Sequence, residues 1–244
     1  MMTGAAEPSQ DDYYDNIDSE VLEAFSENGS DGVHEVLESH ELNYRLNSST
    51  VVGREASSRE DPSDEEELTP QRWFDEDESE INAVAFETSG SNNEARVQVM
   101  MSLDGWTGSF RDTTYVEDVI GISWAGDWTP TDESIRTPDD NHDISFWSES
   151  LEGGVAALVD LSEDSVLPWI DSDDDFLLAA TLSAGSDPGS VHGYYQHNIA
   201  TSPTANINSI EGSLSTNPLD IVMDPSATTD WDVADPTEAV DVVS

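Results

Sequence analysis

Fifty-four Asp and Glu against seven Arg and no Lys leave this 244-residue chain with a formal charge of −47, and that imbalance limits its folds before any pattern is read. A carboxylate with neither a cationic partner nor hydrogen-bond donors has to stay in contact with water or dissolved cations, because burying it unsatisfied is very costly. The core must therefore come from segments that keep their acids on one face. In dilute buffer such a charge repels itself, whereas at molar salt the Debye length falls to about 3 Å and surface carboxylates are screened. The composition points to a hypersaline setting. It also argues against nucleic acid as a partner, since neutralising phosphates takes clustered Lys and Arg.

High net charge with modest hydrophobicity is also the signature of disorder. The aromatic content opposes that reading: there are seven Trp, six Tyr and six Phe, and six of the tryptophans lie between Trp73 and Trp169 among strand-like runs. The length suits one large or two small domains. Cysteine is absent, which rules out a disulfide framework, a thiolate nucleophile and sulfur-ligated zinc. Residues 1–10 lack the basic and apolar regions of a signal peptide, and no apolar run reaches membrane-spanning length, so neither export by a leader nor a transmembrane segment is expected.

Acid density divides the chain. Residues 1–80 hold 24 of the 54 acids. Within residues 1–53, Asp18 and Ser19 are placed to cap a helix carrying Val21, Leu22 and Phe25 inward, with Gly29 stopping it. Ser30 and Asp31 are placed to cap a second helix with Val33, Val36 and Leu37 on one face. Two such short helices form a hairpin that needs a docking surface, and residues 42–53 then read as extended chain. Residues 54–72 form an acidic linker.

From residue 73 to 200 the period becomes two. Val97, Val99, Met101 and Leu103 share one face and Arg96, Gln98, Met100 and Ser102 the other, the pattern of a strand. Further strands are expected at 81–88, 114–125, 144–151, 155–161, 176–183 and 191–200, with turn residues between them, among them Gly185-Ser-Asp-Pro-Gly189. Seven strands without helical crossovers predict a mainly β fold: an antiparallel β-sandwich, with a longer excursion at 126–143 lying at one end. Residues 201–244 contain no basic residue and read as an extended acidic C-terminal arm.

Chemistry-bearing motifs are sparse. Asp171, Asp173 and Asp175 have the spacing that opens a calcium loop, but Phe176 stands where an EF-hand needs Gly and Leu182 where it needs Glu. The trio is at most a structural cation site for Ca, Mg, Na or K, and no other cofactor is expected. His192 and His197, five apart on one strand, point to opposite faces and make an awkward metal pair. No nucleophile elbow, phosphate loop, dinucleotide fingerprint or His-Glu-x-x-His occurs, so no catalytic residue is assigned and the chain is expected not to be an enzyme. The tryptophans fit core packing better than a sugar-stacking face. Subunit contact is expected instead. Val21, Phe25 and Val36 would dock the hairpin, Arg96 and Arg111 would meet a neighbour's carboxylates, and Trp231 would anchor the C-terminal arm.

The absence of Lys and Cys, strand runs such as Ala95-Arg-Val-Gln-Val-Met-Met-Ser-Leu103 and Asp175-Phe-Leu-Leu-Ala-Ala-Thr-Leu-Ser183, and the terminal arms together resemble structural virion proteins of viruses that infect haloarchaea. The nearest likeness is to the single jelly-roll capsid proteins of the tailless icosahedral group, and it covers residues 73–200. The resemblance implies a single jelly-roll that forms ordered contacts with copies of itself and with other shell proteins, made in the host cytoplasm and carried in the virion. It carries over no functional residue. A carbohydrate-binding or adhesion module of a haloarchaeal surface and a halophilic hydrolase are the competing readings.

Overall fold

A computed structural model describes residues 10–50, 79–88, 93–103, 116–137, 143–149, 151–160, 174–200, 202, 204–212, 219–236 and 239–243. The fold is mainly β, with one N-terminal helical element, α1 (Gln10–Ser39). α1 is broken at Gly29, whose φ of +59° is outside the helical range. A side chain there would be strained, so glycine allows the chain to turn. The two-helix pattern in the sequence is thus present, but the first helix begins well before Asp18. Asp18 is no cap: it lies within α1 with its carboxylate facing the sheet.

Ten strands follow among the described residues: β1 (Tyr44–Thr50), β2 (Glu80–Glu87), β3 (Glu94–Leu103), β4 (Asp118–Arg136), β5 (Asp143–Phe146), β6 (Gly154–Asp160), β7 (Asp174–Ala200), β8 (Ile207–Gly212), β9 (Leu219–Met223) and β10 (Ala227–Pro236). Eight of them make one antiparallel sheet in the order β1-β2-β3-β7-β4-β6-β5, with β10 also paired to β7, while β8 and β9 pair separately. The long strands β4 and β7 form a central ribbon. One edge of β7 pairs with β3 along residues 174–183 and with β10 along 192–200.

The ribbon doubles back. Val99 of β3 pairs with Leu178, and Gly193 lies fifteen residues further along β7, which is about 50 Å in a straight strand. Yet a Cβ at Gly193 would fall 2.6 Å from Val99 Cγ2 and 3.3 Å from Ala83 Cβ. The bend lies where the β4–β7 register slips, between Trp124 and Gly126 and again between Gly126 and Trp128. Gly126 has φ +76°, and a Cβ there would meet the Asp187 carbonyl at 2.4 Å, so only glycine fits. The bulges also exchange faces. Phe176, Leu178, Ala180 and Leu182 of β7 point into the central core before the bend, and Val191 and Tyr195 after it.

This core lies between the facing halves of the sheet and includes Ile81, Val97, Val99, Met101, Ile120, Ile122, Val155 and Val159, with Ala239 and Val242 from the C-terminal 3-10 turn. α1 covers the outer face of one half, setting Tyr14, Ile17, Val21, Phe25, Val33 and Leu37 against Val84, Phe86, Met100 and Leu177. The β8–β9 pair covers the other half, where Ile207, Ile210 and Leu219 pack on Val119, Ala156 and Tyr194. Close approach there rests on Gly121, since an added Cβ would sit 2.3 Å from a Leu219 methyl.

Three expectations are corrected. The stretch 185–189 is no reverse turn; it runs through β7 as part of the bent ribbon, because backbone pairing to β4 continues across it. Of the excursion expected at 126–143, residues 126–136 are the second half of β4, paired to β7 as far as Arg136. The described residues between 207 and 243 are not a free arm. Ile207, Ile210, Leu219, Ala239 and Val242 pack on the body, and β10 pairs with the edge of β7.

Candidate functional site

Two polar clusters are built into the layers. The first lies under α1. Arg96, on the helix-facing side of β3, is fully buried. Its guanidinium donates to Asp18 of α1, to Asp132 and Ser134 of β4 at 2.9 and 2.7 Å, and to Thr181 of β7 at 2.9 Å. The Tyr14 ring stands 5.9 Å from the guanidinium carbon. Ser134 and Gln98 both donate to Asp18, at 2.6 and 2.7 Å. Burial opposes the charge on Arg96, and the Asp18 and Asp132 carboxylates more than offset it, so the group is held above its ordinary pKa. The cluster joins the helix to three strands and buries Asp18 without leaving it unpaired.

The second cluster lies at one end of the central core. Asp118, at the start of β4, accepts hydrogen bonds from the Tyr195 hydroxyl, from His197 Nδ1–H at 2.7 Å and from the Asn198 backbone N–H at 2.9 Å. Asp118 and His197 are 1% and 0% exposed. The placement follows from register: Val119 pairs with Gln196, so the next residues outward, Asp118 and His197, face each other, and Tyr195 lies on the same face of β7 as His197. On the opposite face Tyr194, Gln196 and Asn198 form a chain, Tyr194 Oη donating to Gln196 at 2.6 Å and Gln196 to Asn198 at 2.6 Å. Burial, with the charges of Asp232 and Asp220, pushes the Tyr194 hydroxyl well above its usual range. A His–Asp pair with an adjacent hydroxyl has the makings of acid–base chemistry. Both side chains lie inside the core, away from solvent.

Near the surface, His40 donates to Glu20 at 2.7 Å and so ties the two limbs of α1 together. That hydrogen bond draws the Glu20 carboxyl below its usual pKa, burial opposing it and Asn16 adding to it. His34 and Tyr44, 2.7 Å apart, link the second limb to β1.

The residues singled out by sequence are distributed differently from expectation. Asp171, Asp173 and Arg111 lie outside the described residues. Asp175 is the second residue of β7, opposite Ser102, and is buried, and among the described residues no group of three metal-ligating side chains converges. Val21 and Phe25 are buried, and Val36 half-buried, against the chain's own sheet. Arg96 serves its own aspartates. Val21, Phe25 and Arg96 are thus taken up by contacts within the chain and Val36 is partly covered by them, because the outer face of the sheet is the docking surface that the hairpin needed. Trp231 lies in β10 opposite His197, and its side chain is outside the described part. Trp124 and Trp128 are core residues.

Sequence reasoning missed Asp18, Asp118, Tyr195 and His197 as partners. A signal was present for Asp118, an acid at an inward position of the run Val116-Glu-Asp-Val-Ile-Gly-Ile122, since period two assigns it to the same face as Ile120 and Ile122. No family model matches the chain, and no curated protein matches it in sequence. Among the described residues no helix is long and apolar enough to cross a membrane.

Proposed function

We propose that the chain is a non-enzymatic structural subunit of a halophilic assembly, a virion protein of capsid, decoration or tail-tube type that contacts copies of itself and other shell proteins. The observation that carries this reading is the use made of the chemically capable groups. Arg96, Asp18, Asp118 and His197 are all 0–1% exposed; the first two tie α1 to the sheet and the last two tie strand β4 to β7, which is what a rigid building block needs. The two facing halves of the sheet agree with a sandwich, and the single jelly-roll belongs to the same proposal. So does a hypersaline setting, in which the carboxylate-rich surface is screened. With seven arginines against 54 acids, contacts between copies must rest on strand edges, apolar area and bridging cations rather than on charge complementarity.

Sedimentation and electron microscopy of the full chain at molar KCl test the reading, with tryptophan fluorescence followed during dialysis to millimolar salt. Ordered multimers in KCl and loss of the folded spectrum on dialysis are expected. A monomer at every concentration, or a spectrum indifferent to salt, overturns it.

A further inference from the structure

Beneath α1, two amide side chains each have an oxygen left over. Asn82 of β2 and Gln98 of β3 are both 0% exposed, and neither Asn82 Oδ1 nor Gln98 Oε1 has a hydrogen-bond partner among the described residues. The amide orientations are fixed by their neighbours. Asn82 Nδ2 donates to Glu80 Oε1 at 2.9 Å and Gln98 Nε2 to Asp18 Oδ1 at 2.7 Å, and flipping either amide would set its oxygen against a carboxylate. Each oxygen is also polarised by the carboxylate its own N–H serves.

Register makes the two neighbours. Asn82 pairs with Met100 and Val84 with Gln98, so Asn82 and Gln98 are diagonal neighbours on the helix-facing side of the sheet, about 7 Å apart at Cβ. The surroundings are negative. Glu80 also accepts from Ser48 at 2.6 Å, and its other oxygen stands 3.4 Å from where a Gly29 Cβ would be. Arg96 answers Asp18 and Asp132, whereas Glu80 lies six residues away in register, opposite Ser102, beyond the reach of that guanidinium.

We propose that Asn82 Oδ1 and Gln98 Oε1 bind a desolvated monovalent cation, K⁺ or Na⁺, between α1 and the sheet. Neutral amide oxygens are hard donors suited to such ions, as carbonyl oxygens are in cation-selective sites. A divalent ion would demand carboxylates of its own, and Asp18 is already committed to Arg96, Gln98 and Ser134. A buried water would satisfy the same oxygens but would do nothing for the negative surroundings. The inference does not rest on the assembly role and stands or falls separately from it.

The test is anomalous diffraction from crystals of the full chain grown with RbCl in place of KCl. A rubidium peak within bonding distance of both amide oxygens is expected. Water density at that point, no density, or rubidium bound only elsewhere overturns the proposal. In solution, thermal unfolding in KCl is compared with unfolding in tetramethylammonium chloride of equal ionic strength. The gap in midpoint between the two salts should shrink in Gln98→Met and in Asn82→Leu. A gap unchanged in a folded variant counts against the site, and if neither variant folds, the rubidium result on the unaltered chain decides alone.

Discussion

Arg96 and His197 are both fully buried beside an aspartate, yet the two clusters solve the same problem by different means. Under α1, Asp18 is answered by a permanent cation that also reaches Asp132. In the central core, Asp118 is answered by three donors, a hydroxyl, an imidazole N–H and a backbone N–H, all of which can serve it without carrying charge. The chain has only seven arginines and no lysine, so a buried carboxylate satisfied by neutral donors leaves a scarce cation for use elsewhere. Donors brought in by strand register do the same work without drawing on that small supply.

The largest expected effect comes from removing the permanent cation. Arg96→Met should destabilise the fold by about 3–5 kcal/mol, because Asp18 is left charged and buried. Denaturant unfolding at constant molar salt measures it. The loss should change little as salt is raised further, since a buried pair is poorly screened, and the double variant Arg96→Met with Asp18→Leu should recover most of it. A loss that fades with added salt would mean the cluster is wetter than its burial indicates.

Asp118→Asn comes next, at about 2–3 kcal/mol by the same measurement, since an amide sets N–H groups against donors that lose their acceptor. If it matched Arg96→Met, the contrast between fixed charge and hydrogen-bonded satisfaction would collapse. Gly193→Ala touches neither cluster and calibrates both. Its Cβ would press on Val99, and overpacking of this kind costs about 1–3 kcal/mol. Because the contact is apolar, its cost should be independent of pH.

The smallest effect is the exposed pair. The Glu20 carboxyl has its pKa lowered in the folded chain by His40, so its contribution is present above the ordinary glutamate range and is lost as pH falls through the lowered folded value. Glu20→Gln should therefore lower stability slightly at neutral pH, by about 0.5 kcal/mol or less for so exposed a pair, and should leave the acid end unchanged. An acid titration of the unfolding midpoint in both proteins checks the sign.

The sequence by itself determined the core face of central strands and much of the local structure. Period two placed Val97, Val99, Met101 and Leu103 together, and Gly29 marked the break between two helices. It also established that carboxylates would crowd the surface, which is a matter of counting. Only the tertiary structure decided partners. The hairpin looked like a contact segment because its helices are too short to stand alone, but β2, β3 and β7 present the apolar face it covers, and no local pattern reports a surface assembled from strands a hundred residues apart. Arg96 pairs with Asp18 across 78 residues and Asp118 with His197 across 79. Those pairings depend on strand register and on the bend in the β4–β7 ribbon, and both are set by the bulges and close glycine contacts of the folded chain rather than by any property of the paired residues.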